Sequence, residues 1–121
     1  MDAFELYQSL LTEIATKFNT LELPKIMSCF TDDVVVHYND LTIVGAENLR
    51  AFLELRYADL SNYHLEKKLR LVSGQTIGAE VRAEYTKKSS GEKVIVRIHE
   101  FLEFDARKIK CWDYVGHVTV V

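Results

Sequence analysis

The chain has 121 residues, 48% of them hydrophobic and 27% charged, the balance of a folded globule rather than of a disordered or fibrous chain. Its 15 basic and 18 acidic residues leave a net charge of −3, which argues against a nucleic-acid partner, because neutralising phosphates needs a basic surface. A chain of 121 residues is read as one domain, able to bury about two thirds of the surface it exposes when unfolded.

Cys29 and Cys111 do not make a disulfide framework, so a reducing compartment is expected. The opening MDAFELYQSLLTEI has acids where a signal peptide carries a basic region. No segment approaches the ~20 apolar residues of a membrane span. A cytoplasmic location without membrane contact is the expectation.

From Asp2 to Phe18 the residues Leu6, Tyr7, Leu10, Leu11, Ile14 and Phe18 recur at three and four, which predicts one apolar face of a helix. Asp2 followed by Glu5 reads as its cap with a reciprocal carboxylate. Pro24 opens a second, short helix carrying Ile26, Met27 and Phe30, expected to stop at Thr31-Asp32-Asp33. Val34 to Tyr38 is β-branched and predicts a strand, with Leu41 to Val44 as its return. Gly45 starts a third helix, about Ala46 to Tyr57, with Leu49, Phe52, Leu53 and Tyr57 on one face.

After Asn62 the period changes to two. Long strands are expected over Tyr63–Val72, Gln75–Lys87, Lys93–Phe104 and Lys108–Val120, broken by the turn residues Ser73-Gly74, Ser90-Gly91 and Asp105-Ala106. Lys87, Lys88 and Lys93 cluster around one of these turns and read as a solvated hairpin tip. On the second long strand Ala79, Val81, Ala83 and Tyr85 form the core face, opposite Glu80, Arg82 and Glu84. Helices followed by a long antiparallel meander make an α+β protein, its sheet curled around the helices.

Helices ending in FTDD, the strand VVVHY, the helix GAENLRAFL and the ending LEFDARKIKCWDYVG resemble the NTF2-like superfamily, in particular its SnoaL-like branch. The resemblance covers essentially the whole chain and rests on spacing and residue types rather than on one motif. It implies a cone: three N-terminal helices packed in a strongly curved, mainly antiparallel sheet, with a pocket between them. It also implies a homodimer through the outer sheet face, here Val96, Ile98, Leu102, Phe104 and Val115, beside Cys111. Members include isomerases, cyclases, hydrolases and domains without catalysis, so fold alone does not give the reaction.

The catalytic positions of two branches do not carry over. Where ketosteroid isomerases place a helix tyrosine and two aspartates, this chain has Ile14, Tyr38 and Arg97. Where limonene-epoxide hydrolases place Arg, Asp and Asp, it has Val81, Ala83 and Tyr114.

The same alignments imply that Val34, Val36, Tyr38, Ile95, Arg97, His99, Phe101, Trp112 and Tyr114 point inward, leaving His37 outside unless a bulge exchanges it with Tyr38. With Ile14, Phe18, Leu53 and Tyr57 from the helices, Val36, Phe101, Trp112 and Tyr114 form the expected substrate-binding wall, an aromatic cavity with few polar groups. Arg97 would hold an anionic ligand or pair with Glu13, Glu54 or Asp59. His99 would be the general base or a satisfied core residue. Tyr38 and Tyr114 would donate to an oxyanion or fill space with the hydroxyl reaching water.

Asp113 ranks second because its parity is outward, and Asp32 and Asp33 read as capping residues. The four histidines and two cysteines show no metal-ligand spacing, and no phosphate-cradling glycine loop or nucleophile elbow is present; no metal or other cofactor is expected. Two readings follow. One is a cofactor-independent isomerase, cyclase or hydratase acting on a small acidic or carbonyl compound. The other is a non-catalytic binding or dimerisation module.

Overall fold

A computed structural model describes residues 2–121 and has the α+β order expected. Helix α1 spans Ala3–Asn19, α2 Leu23–Met27 and α3 Ala46–Tyr57; strands β1 (Phe30–Tyr38) and β2 (Leu41–Val44) lie between the second and third helices. Four long strands follow: β3 (Leu60–Ser73), β4 (Thr76–Lys87), β5 (Lys93–Asp105) and β6 (Lys108–Val120). They form one six-stranded sheet in the order β2-β1-β6-β5-β4-β3, antiparallel except for the parallel β1–β6 pair.

The helices form where short-range chemistry demands them. The Asp2 carboxylate accepts the Glu5 N–H at 2.9 Å, one arm of the expected box, and satisfies a donor that the first helical turn would leave orphaned. Leu10, Leu11, Ile14, Ala15 and Phe18 bury the inner stripe of α1, whereas Leu6 remains half exposed. Pro24 sits in the first turn of α2. That helix ends at Met27, earlier than expected, and Phe30 already begins β1. Gly45, at φ 88°, supplies the left-handed turn into α3 and donates its N–H to the Val34 carbonyl at 2.8 Å.

Helix α1 packs on β3 and α3 packs on β1, so both lie on the concave side of the sheet. β3 is an edge strand, and α1 covers its open hydrogen-bonding groups with side chains. The Asn19 amide donates to the Leu65 carbonyl at 3.0 Å and accepts the Leu65 N–H at 2.7 Å, while the Gln8 carbonyl oxygen accepts the Leu69 N–H at 3.0 Å.

Strand parity decides what reaches the cavity. On β4 the inward set is Ala79, Val81, Ala83 and Tyr85, as the alternation predicts. Residues directly opposite in an antiparallel ladder share a face. Those four oppose Glu100, Ile98, Val96 and Val94 of β5. The inward face of β5 is therefore Val94, Val96, Ile98, Glu100, Leu102 and Phe104, all buried.

This corrects the parity carried over by resemblance. Arg97, His99 and Phe101 lie on the convex, exposed face, and Ile95 shares it, half-buried. Val96, Ile98, Leu102 and Phe104 belong to the core and are not available to an outer-face dimer; of that set only Val115 is exposed on the convex side. The convex face instead carries Phe101 and Val115 beside Arg97, His99 and His117, and ion pairs such as Arg70–Glu80 and Arg82–Glu84. No helix among the described residues is long and apolar enough to cross a membrane.

Candidate functional site

The concave sheet and the helices enclose a cavity lined by aromatic rings and three charged side chains, Arg56, Lys67 and Glu100. As the side chains stand the cavity measures about 30 Å³, room for two or three waters.

Its floor is an ion pair. Lys67 Nζ lies 2.7 Å from Glu100 Oε2, with the two side chains 4% and 1% exposed. The second carboxylate oxygen, Oε1, accepts the Trp112 indole N–H at 3.1 Å. Lys67 is on β3 and Glu100 on β5, with β4 between them. The register brings Val81 beside Lys67 and Ala79 beside Glu100, and the small alanine leaves a lane over which the two long side chains meet. The Lys67 ammonium also lies 5.4 Å from the centre of the Phe18 ring. An ammonium carries three N–H donors and one goes to Glu100, so the remainder are free for whatever enters the cavity.

Above the floor stands a stack of tyrosines. The rings of Tyr38 and Tyr114 are parallel within 10° at 4.0 Å, with Trp112 edge-on to Tyr38 at 6.1 Å and Phe52 at 5.0 Å. Tyr114 lies back along its own strand over Gly116: a Cβ there would sit 2.6 Å from the phenol oxygen, so only glycine admits this pose. Burial raises the Tyr38 phenol above its usual value of 10.0 against the opposing pull of Arg56. Burial, reinforced by Tyr38, raises Tyr114 further; Tyr57 and Tyr63 are also raised by burial. At neutral pH these phenols are hydrogen-bond donors, not bases.

Arg56 forms the mouth. Its guanidinium carbon lies 5.2 Å from the centre of the Tyr38 ring, and the residue lines both the cavity and an outer hollow beside Phe52, Leu55 and Asp59. No carboxylate among the described residues comes within 4.0 Å of it. The acids that the sequence offers an internal arginine are placed elsewhere. Glu13 pairs with Arg107 at 2.9 Å, Asp59 accepts the Ser89 N–H and hydroxyl at 2.8 and 2.7 Å, and Glu54 is exposed.

The structure thus brings together Phe18, Tyr38, Tyr57, Trp112 and Tyr114 of the expected site. Ile14, Val36 and Leu53 are buried in the core behind the cavity wall. Arg97, His99 and Phe101 are outside it. His37 faces the convex side, its Nδ1 3.3 Å from Thr42 Oγ1, and the β1 irregularity falls between Phe30 and Val35, upstream of Tyr38. Asp113 is exposed opposite Phe101. No group of three or more His, Cys, Asp or Glu among the described residues is arranged to hold a metal ion.

Three polar members were missed, and each had a signal. Glu100 interrupts the apolar row Val94, Val96, Ile98, Leu102, Phe104, and Lys67 interrupts Tyr63, Leu65, Leu69. Arg56 follows Phe52 by four and Leu53 by three, which puts it on the inner face of α3.

The model of the SnoaL-like domain family matches residues 11–112. No curated protein matches the chain. Among solved structures, the epoxide hydrolase/cyclase-like enzyme SalBIII, described for pyran-ring formation in the polyether salinomycin, superposes with a TM-score of 0.84 at 14% identity, covering 100% of both chains. A hypothetical protein with a ketosteroid isomerase-like fold from Catenulispora acidiphila DSM 44928, solved with trimethylamine, gives 0.77 at 16% identity over 88% of this chain and 83% of that one. An NTF2-like protein of unknown function from Burkholderia pseudomallei K96243 gives 0.78 at 15% identity over 91% and 89%. At such identities the likeness is one of fold. With the family model spanning residues 11–112 and the NTF2-like cone enclosing the cavity, the chain belongs to the SnoaL-like domain family.

Proposed function

We propose that the chain binds a small acidic or carbonyl compound in the cavity between helices and concave sheet, and acts on it as a cofactor-independent isomerase, cyclase or hydratase. The observation that carries this reading is Arg56: a permanently charged group in an aromatic mouth with no carboxylate partner. Arg56 thus takes the anion-holding role that the sequence suggests for Arg97. Tyr38 and Tyr114, held protonated, are the donors that would stabilise negative charge developing on a substrate oxygen. Glu100, the one carboxylate among the described residues that line the cavity, holds Lys67 and the Trp112 indole and so does not take the place given to His99. The trimethylamine of the Catenulispora structure belongs to that protein; a cavity with Arg56 and Lys67 in its wall disfavours a cation.

A thermal-shift screen of the wild type and Arg56→Met against small carboxylic acids and cyclic ketones tests the reading. A ligand at a hundred times its dissociation constant adds about 2.7 kcal/mol, a shift of roughly 10 °C for a domain of this size. The expected result is a wild-type shift with acids that the variant loses.

The narrowness of the cavity, about 30 Å³, favours a second reading: a non-catalytic module whose interior is filled by its own side chains. The absence of any shift across the screen, together with an Arg56→Met variant less stable than the wild type, would select it.

A further inference from the structure

We propose that the ligand is a small carboxylic acid with a neutral carbonyl or hydroxyl oxygen at its far end: the carboxylate bound by Arg56 at the mouth, the neutral oxygen by Lys67 at the floor. This deepens the anion-site reading above and rests on it.

The two cations in the cavity differ in what they still lack. Among the described residues Arg56 has no counter-charge, so the group that satisfies it is an anion. Lys67 is already neutralised by Glu100 at 2.7 Å, and Glu100 has no oxygen to spare, since its other one takes the Trp112 indole. A second anion at the floor would face that carboxylate across a dry interior. What Lys67 lacks is an acceptor without charge, because its unused N–H donors are buried at 4% side-chain exposure in a wall of aromatic rings. With Lys67 and Glu100 cancelling, one positive charge remains in the cavity, which matches a monoanion.

Between the two ends the walls are planar. Tyr38 and Tyr114 are stacked, and a ring that enters must displace side chains, since the cavity as it stands has room for two or three waters. The ion pair costs desolvation that an apolar floor would not. A floor built only for packing has no use for leftover ammonium donors.

Isothermal titration of the whole chain with three probes tests the assignment: cyclohexanecarboxylate, 4-oxocyclohexanecarboxylate and cyclohexanone. The oxo acid is expected to bind about tenfold or more tighter than the plain acid, the usual effect of a hydrogen bond to a charged donor. Arg56→Met should weaken both acids while preserving their ratio. Removing Lys67 alone strands a buried carboxylate and risks misfolding, so the floor is tested with the paired change Lys67→Met and Glu100→Gln, which leaves no unpaired charge. That variant should still bind the plain acid and lose the preference for the oxo acid.

Equal affinity of the wild type for the two acids, or a preference that survives the paired change, overturns the assignment of Lys67 while the Arg56 site stands. Binding of neither acid, or acid binding indifferent to Arg56→Met, overturns the anion site itself and this inference with it.

Discussion

The sheet carries lysine- or arginine-to-glutamate pairs on both faces, and they are not the same interaction. On the convex side Arg70–Glu80 at 2.8 Å and Arg82–Glu84 at 3.2 Å have side chains 35–54% exposed. On the concave side Lys67–Glu100 at 2.7 Å is 4% and 1% exposed. The distances nearly coincide, so geometry does not separate them. Water does. Exposed pairs are screened and fix side chains that would otherwise move, so each contributes roughly 0–1 kcal/mol. The buried pair has lost its hydration, and each partner now depends on the other.

The largest effect that would break this contrast is at the floor. Lys67→Met alone should lower stability to chemical denaturation by about 3–5 kcal/mol by leaving Glu100 buried and uncompensated, and adding Glu100→Gln should restore most of the loss. A single-variant loss under about 1 kcal/mol would make the floor pair equivalent to those outside.

Alkaline titration extends the comparison to the phenols. Tyr38, Tyr57, Tyr63 and Tyr114 are raised above 10.0 in the folded chain. Their contribution is complete below the unfolded value of 10.0 and is lost as pH rises above it, because the unfolded state then binds fewer protons than the native one. Stability should therefore fall progressively from about pH 10, and the phenolate absorbance of these four rings should appear only as the chain unfolds. Early phenolate absorbance with stability unchanged would mean that the tyrosine stack is wet.

Gly116→Ala should cost about 1–3 kcal/mol, the usual range for overpacking, since it pushes the Tyr114 ring off its strand. Its effect on ligand binding should exceed that of any convex substitution. Arg82→Met should cost no more than about 1 kcal/mol, shrinking with added salt. Smallest of all, Arg97→Ala and His99→Ala should stay within about 0.5 kcal/mol of the wild type and leave any ligand-induced shift intact. A ligand response lost in His99→Ala would return that histidine to the site.

What could be read in the sequence was read from short-range chemistry. The spacing of α1, Pro24 in α2, Gly45 before α3 and the hairpin turns each declare themselves within a few residues, and each formed where expected except that α2 ends already at Met27. The alternation on β4 was also legible, because its two faces differ sharply in polarity. Resemblance to distant relatives gives β5 the wrong inward side, which the strand's own pattern does not. Slipping an alignment by one residue exchanges every side chain between faces. Val94, Val96, Ile98, Leu102 and Phe104 state the correct parity on their own, and the hairpin register against Ala83 and Val81 repeats it. Once that parity is fixed, Glu100 and Lys67 stand out as single charges in two apolar rows, one acid and one base on strands flanking β4. Their partnership was not visible from either strand alone. It depends on which residues of β4 lie between them, a fact of register that periodicity does not carry.

The chain has one tryptophan, and its indole N–H is tied to Glu100 at the bottom of the cavity. Its fluorescence therefore comes from a single known place, next to a carboxylate whose charge, partner and surroundings are the quantities in question. Emission recorded during folding reports when the floor is assembled, and emission recorded during titration reports when it is disturbed. The molecule carries its own optical probe, with no dye or second tryptophan to be subtracted.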